Sequence, residues 1–251
     1  MHLGTILSRP ALLKPHQRIF LLGHMRANTS VFGHILGSNP AIAGYYEMHI
    51  GYYSRKSFFR QKLLYYQQHK YKPGTKYLFD KVLHTYHFVN PHLLNRKGVK
   101  TLITIREPEQ TIKSIVSLFR NNFGAHEYQS VDEAFNYYCE RVNTLASMAP
   151  EIDNYFFFKA EKLKTDTDKL LASIANWLTL EAPLSKEYDQ FVLTGKKDSG
   201  DKTRRLKTGK LVSGVSDYSA IKLTSEQLEI AIKTYKAALA ILTEHASYSI
   251  S

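Results

Sequence analysis

Residues 23 to 30 read Gly23-His24-Met25-Arg26-Ala27-Asn28-Thr29-Ser30, which has the parts of an anion cradle. Gly23 lets the backbone turn sharply, Arg26 brings a charge, and Asn28 tolerates a left-handed conformation. Thr29 and Ser30 place hydroxyl donors where a helix would begin. A helix N-terminus leaves backbone N–H groups unpaired and carries about half a positive charge, so a phosphate set there is stabilised. An ordinary capped strand-to-helix turn fits the same residues. Against the ATP-binding pattern GxxxxGK[ST], Gly23 and Ser30 match, while Asn28 and Thr29 replace the glycine and the lysine. Without that lysine the β and γ phosphates of ATP lose their counter-charge, and Arg26 points to a differently arranged anion.

A second group of such residues lies at 102 to 120, LITIREPEQTIKSIVSLFR. Arg106 follows an apolar run, Pro108 suits the first turn of a helix, and Ser114 falls in its second turn. The C-terminal end of a strand is where α/β sheets put ligand-binding groups. Taken alone, Arg106 could simply pair with Glu107 or Glu109, and Ser114 could be an ordinary helix residue.

The elements that must position these groups can be read from periodicity. Continuous apolar runs at 18–23, 77–82, 99–105 and 154–159 predict strands covered on both faces. Helices are expected at 29–36, 108–120, 131–148 entered through Ser130, 166–178, and 224–244, where Thr224 and Gln227 fit a capping box. Strands alternating with helices predict an α/β fold: one domain with a central, mostly parallel sheet flanked by helices; the partial match to GxxxxGK[ST] makes that fold resemble a P-loop NTPase. Residues 45 to 71, rich in Tyr and Phe, read as a helix and loop flanking a cleft, and 194 to 218 as a long loop able to act as a lid.

With 34 Lys and Arg against 22 Asp and Glu, the chain carries a formal charge of +12, which favours polyanionic partners. The charges are spread along the chain apart from KTRRLKTGK at 202–210, so no nucleic-acid-binding arm is expected. Cys139 is the single cysteine, which excludes an internal disulfide and a cysteine metal cluster. No stretch reaches the length of a membrane span and no signal peptide is read at the N-terminus, so a cytoplasmic protein is expected. His84-x-x-His87 lacks an evident carboxylate partner, and no metal is expected.

GHMRANTSVFGHILGSNPAI is similar to the 5'-phosphosulfate-binding segment of sulfotransferases that use 3'-phosphoadenosine-5'-phosphosulfate (PAPS). It departs from the family at Asn28, where glycine is usual. The Arg106, Pro108 and Ser114 pattern resembles the family's 3'-phosphate site, and the likeness covers about residues 18 to 212. The resemblance implies a PAPS donor held by Gly23 to Ser30, with Arg26 on the leaving 5'-phosphate and Arg106 and Ser114 on the 3'-phosphate. It further implies adenosine-3',5'-bisphosphate (PAP) as product, an acceptor hydroxyl on a small molecule, glycan or lipid, and no metal. His24 either lines the pocket or is structural. Glu161 sits in the acidic turn of a following strand-turn-helix segment that also resembles the family. In the basic segment 200–212, Arg205, Lys207 and Gly209 are the donor-closing candidates. For the base that takes the acceptor proton, the family pattern offers Glu47, which is favoured, and His84. Lys81 is a candidate to stabilise the transferring group. Bland roles stand beside these: Glu47 paired with a nearby cation, His84 packed, Lys81 solvated. The runner-up is a P-loop kinase using Asp80 to hold magnesium, and the third reading is a noncatalytic polyanion-binding module. The sequence leaves a homodimer open.

Overall fold

The computed structural model describes residues 10–195, 206–212, 214 and 216–251. Its centre is a six-stranded sheet of order β2-β3-β1-β4-β5-β6, parallel throughout. The strands are β1 (Gln17–Leu22), β2 (Ile42–Ala43), β3 (Tyr77–Val82), β4 (Val99–Ile105), β5 (Tyr155–Lys159) and β6 (Tyr248–Ile250). The helices are α1 (Thr29–Ser38), α2 (Arg55–Gln68), α3 (Pro91–Leu94), α4 (Pro108–Asn122), α5 (Val131–Met148), α6 (Lys162–Thr165), α7 (Thr167–Trp177) and α8 (Ser225–Glu244). The α/β expectation holds, and the four strands read from the sequence are β1, β3, β4 and β5.

The continuous apolar character of these strands follows from having a core on each side. Side chains alternate across a strand, so Phe20, Leu22, Ile103, Ile105 and Phe157 face α4, α5 and α8. Ile19, Leu21, Leu102, Phe156 and Phe158 face α1 and α7. Neither set leaves an exposed face that polar residues could occupy. α1 lies very close to the chain after β2: a Cβ on Gly33 would stand 2.5 Å from the Tyr45 carbonyl oxygen. Glycine is therefore required there, and the approach fixes the segment carrying Glu47.

Strand order also decides where a ligand can sit. The chain leaves β1 toward β2 and β3, then crosses back over β1 to reach β4. The C-terminal end of β1 thus opens at a topological switch point, the usual ligand crevice of such sheets. Leu22 pairs with Val82 of β3 and Ile103 of β4, so the segments following all three strands emerge together. Among the described residues no helix is long and apolar enough to cross a membrane.

Candidate active site

The turn from β1 into α1 is fixed by groups distant in sequence. Arg141 of α5, buried, donates from Nε to the Gly23 carbonyl and from Nη2 to the Val82 carbonyl, each at 2.8 Å. The Met25 N–H donates to the Tyr137 hydroxyl at 2.8 Å, and that hydroxyl donates to the Leu83 carbonyl at 2.9 Å. His24 is wholly buried. Its Nδ1–H donates to the Met25 carbonyl and its Nε2 accepts from the Arg106 N–H. Burial lowers its pKa to about 4, which keeps the imidazole neutral and able to accept that bond. His24 thus joins the ends of β1 and β4, and its ring is not on the cavity wall.

Asn28 adopts φ 57° and ψ 14°, the left-handed region. Glycine adopts this conformation freely, and asparagine reaches it at modest cost. Its Nδ2 donates to the Ala160 carbonyl beyond β5 at 3.0 Å, a bond that glycine cannot make. Its side chain makes no capping bond to α1, and Thr29, Ser30 and Val31 of the first helical turn line the crevice. Asn28→Gly keeps the backbone allowed and is expected to cost no more than the ~1 kcal/mol of the lost bond to Ala160. Asn28→Ala loses that bond and also opposes the left-handed turn by about 1–2 kcal/mol, so it should melt at the lower temperature. Thermal unfolding of both variants checks the order.

Across the crevice lies a cavity of about 640 Å³, walled by Arg26, Asn28, Thr29, Ser30, Arg106, Ser114 and Tyr218 among others. That volume suits a ligand of nucleotide size. Arg26 Nε donates to Ser114 Oγ at 2.9 Å, and the Tyr218 hydroxyl lies 3.0 Å from the same oxygen. Arg106 Nη1 donates to the Arg26 carbonyl at 3.0 Å. Burial would raise the Tyr218 phenol, but hydrogen bonds to Ser114 and Ser216 and the charges of Arg26 and Arg106 hold it below its ordinary value. Arg26, Arg106, Lys164 and Lys210 line the wall, and no carboxylate stands among its described lining residues. Gly23, Met25 and Ala27 contribute backbone to the turn and no wall.

In the C-terminal segment, Lys207 and Gly209 lie off this wall, and Leu206, Lys210 and Leu211 stand on it. The Gly209 carbonyl accepts instead from the Tyr188 N–H at 2.8 Å. Arg205 lies outside the described residues. Glu161 is also placed beside the site: its Oε1 accepts from the Glu107 N–H at 3.0 Å, and it favours the charged form of Arg106.

The groups expected to move protons and charge lie beyond Ser30. Lys81, 1% exposed at the end of β3, donates from Nζ to Ser30 Oγ at 3.0 Å. Glu47 is 6% exposed and accepts from the Leu83 N–H at 3.3 Å. Burial raises its pKa, with Lys81, His49 and Arg141 pulling it back. A dry carboxylate whose pKa lies above the ordinary value has the properties of a general base. His84 is also buried, and burial together with Arg141, His87, His49 and Lys81 lowers its pKa to about 3. An imidazole of that basicity is a poor proton acceptor.

Asp80, the candidate magnesium carboxylate, is placed otherwise. Its Oδ1 accepts from the Met48 N–H at 3.0 Å and its Oδ2 from the Tyr52 hydroxyl at 2.5 Å. Burial raises its pKa to about 8. Both oxygens anchor the 48–52 segment, on the strand face opposite Lys81, so the kinase reading loses its metal ligand.

Tyr137, Arg141 and Tyr218 were not singled out in the sequence. Arg141 had left a signal, an arginine within the buried α5 stripe of Ala134, Tyr137, Tyr138, Val142 and Leu145.

No family model matches the sequence, and no curated protein does. Solved structures do match. The sulfotransferase domain of the Synechococcus PCC 7002 olefin synthase aligns over 89% of this chain and 94% of its own, with TM-score 0.61 and 14% identity. The sulfotransferase domain of the curacin biosynthetic pathway covers 88% and 97%, with TM-score 0.56 and 16% identity. Mouse sulfotransferase SULT7A1, complexed with PAP, covers 92% and 90%, with TM-score 0.54 and 15% identity. The chain has the fold of the sulfotransferases.

Proposed function

We propose that this protein transfers a sulfuryl group from PAPS to a hydroxyl acceptor. The observation that carries the reading is the single cavity wall on which the α1 N-terminus, with Thr29 and Ser30, faces Arg106 and Ser114. A nucleotide phosphorylated at both its 5' and 3' positions is the ligand that would use both ends. The same fold in a mouse sulfotransferase crystallised with PAP supports this.

Transfer needs attacking oxygen, sulfur and leaving oxygen in line, with charge neutralised as the leaving phosphate departs. The α1 amides, Thr29 and Ser30 would hold the 5'-phosphate, and Arg26 would balance its charge while bonded through Nε to the 3' end at Ser114. Lys81, at Ser30 Oγ, would add positive charge near the moving group. The acceptor oxygen bonds to sulfur, the bond from sulfur to the phosphate oxygen breaks, and the acceptor proton passes to the Glu47 carboxylate. The products are a sulfate ester and PAP. None of these residues requires a metal for that sequence, and a cytoplasmic location would supply both donor and acceptor.

Exposed Tyr53, Tyr86 and Phe88 suit an acceptor with a ring or acyl surface, as in a glycan or a lipid alcohol. Incubation with labelled PAPS and a panel of alcohols, sugars and phenols, without added metal, is expected to label at least one acceptor. Labelling from γ-labelled ATP with magnesium, and none from PAPS, would contradict the reading.

A further inference from the structure

Next to Glu47, two histidines approach from separate segments. The ligating atoms of Glu47, His49 and His87 all lie within 4.8 Å of one another, a grouping of histidine and carboxylate found once among the described residues. His49 Nδ1 is 4.0 Å from Glu47 Oε1, and the rings of His49 and His87 are centred 5.7 Å apart. His49 has φ 54°, a left-handed backbone that residues other than glycine rarely keep, and such strain gathers at functional sites. His84, whose buried Nδ1 has no hydrogen-bond partner, packs edge-on to His87.

We propose that Glu47, His49 and His87 form a binding site for a divalent transition ion of the zinc type, and that occupancy of this site blocks transfer. Two imidazoles and one carboxylate, with a fourth position open to water, are a donor set that zinc accepts. Ligand bonds of about 2.0–2.1 Å require the three donors to draw together by about an ångström. His49 is exposed and His87 half-buried, so both can turn toward the buried carboxylate. An ion bound there takes the lone pair that Glu47 would offer to the acceptor proton. The blocking half of the proposal rests on the function proposed above; the ion site does not.

Tag-free protein titrated with Co²⁺ should show saturable visible bands at one equivalent, displaced by Zn²⁺, and calorimetry with Zn²⁺ should give the same stoichiometry. His49→Asn, which suits the left-handed backbone, and His87→Ala should each weaken binding by at least the ~10–100-fold lost with an outer-shell partner. Both should retain the wild-type circular dichroism spectrum. Zn²⁺ should stop transfer from labelled PAPS, a chelator should restore it, and His87→Ala should continue to transfer at the same Zn²⁺ concentration. Absence of one-equivalent binding, or binding unchanged in both variants, would overturn the site. A saturated site with undiminished transfer would overturn the blocking role. If metal-free protein transfers nothing, the proposed function fails, and the Co²⁺ titration alone still decides the site.

Discussion

Exchange of Glu47 for glutamine is expected to lower the transfer rate by about 10²–10⁴-fold while leaving PAP affinity close to wild type. That range is what a positioned general base contributes. Glutamine keeps the size of the side chain and can still accept from the Leu83 N–H, so the turn and the cavity wall stay in place. The pH profile supplies the sign. Burial raises the Glu47 pKa, and the carboxylate must be ionised to accept a proton. The wild-type rate should therefore fall as pH is lowered through a value above the usual carboxylate range, near 4.3. The glutamine variant should lose that acid limb. His84→Ala, by contrast, should retain the limb, because an imidazole whose pKa has dropped to about 3 does not titrate there. An acid limb that persists in Glu47→Gln and vanishes in His84→Ala would make His84 the base.

Arg106→Ala should act on the donor. Each charge-assisted bond to phosphate contributes about 1.5–3 kcal/mol, so PAPS affinity should fall about 10–150-fold, with a smaller effect on turnover at saturating donor. The loss should be specific to one phosphate. Wild-type protein should prefer PAPS to adenosine-5'-phosphosulfate, and the variant should lose most of that preference, with Ser114 retaining the rest. Because Arg106 also supports the Arg26 carbonyl, Arg106→Lys is the useful companion. It keeps the charge but loses the fork that can hold carbonyl and phosphate together, so intermediate affinity is expected. Equal loss for both nucleotides would place Arg106 away from the 3'-phosphate.

The parts of this site legible in the sequence are those whose causes are local. β1, β3, β4 and β5 show as continuous apolar runs because each strand has a core on both faces. The α1 turn shows because its glycine, cation and hydroxyls are contiguous. β2, with two residues, and β6, with three, are too short to carry a period, and their pairing depends on neighbours far along the chain. The same holds for the groups that hold the turn rigid. Tyr137 and Arg141 reach Met25, Gly23 and Val82 across more than fifty residues, and spacing cannot show that.

Asn28 is the residue at which the turn departs from the resembling family's usual glycine. Its left-handed backbone and its bond to Ala160 show an asparagine taking glycine's conformational role and adding a tie to β5. In the basic C-terminal segment the composition was informative and the register was not. Positive charge and small residues mark it, yet Lys210 reaches the cavity wall where Lys207 was expected. Asp80 shows the opposite error, a carboxylate at the right place in sequence for a metal but on the wrong face of its strand.

The most direct test of a PAPS site is thermal stability with nucleotide added and metal withheld. A ligand present at 100 times its dissociation constant stabilises the native state by about 2.7 kcal/mol. For a chain of this size the melting temperature should rise by about 5–10 °C. PAP without metal is expected to give that rise, and ATP with magnesium to give none. A rise with ATP and magnesium and none with PAP would contradict the account.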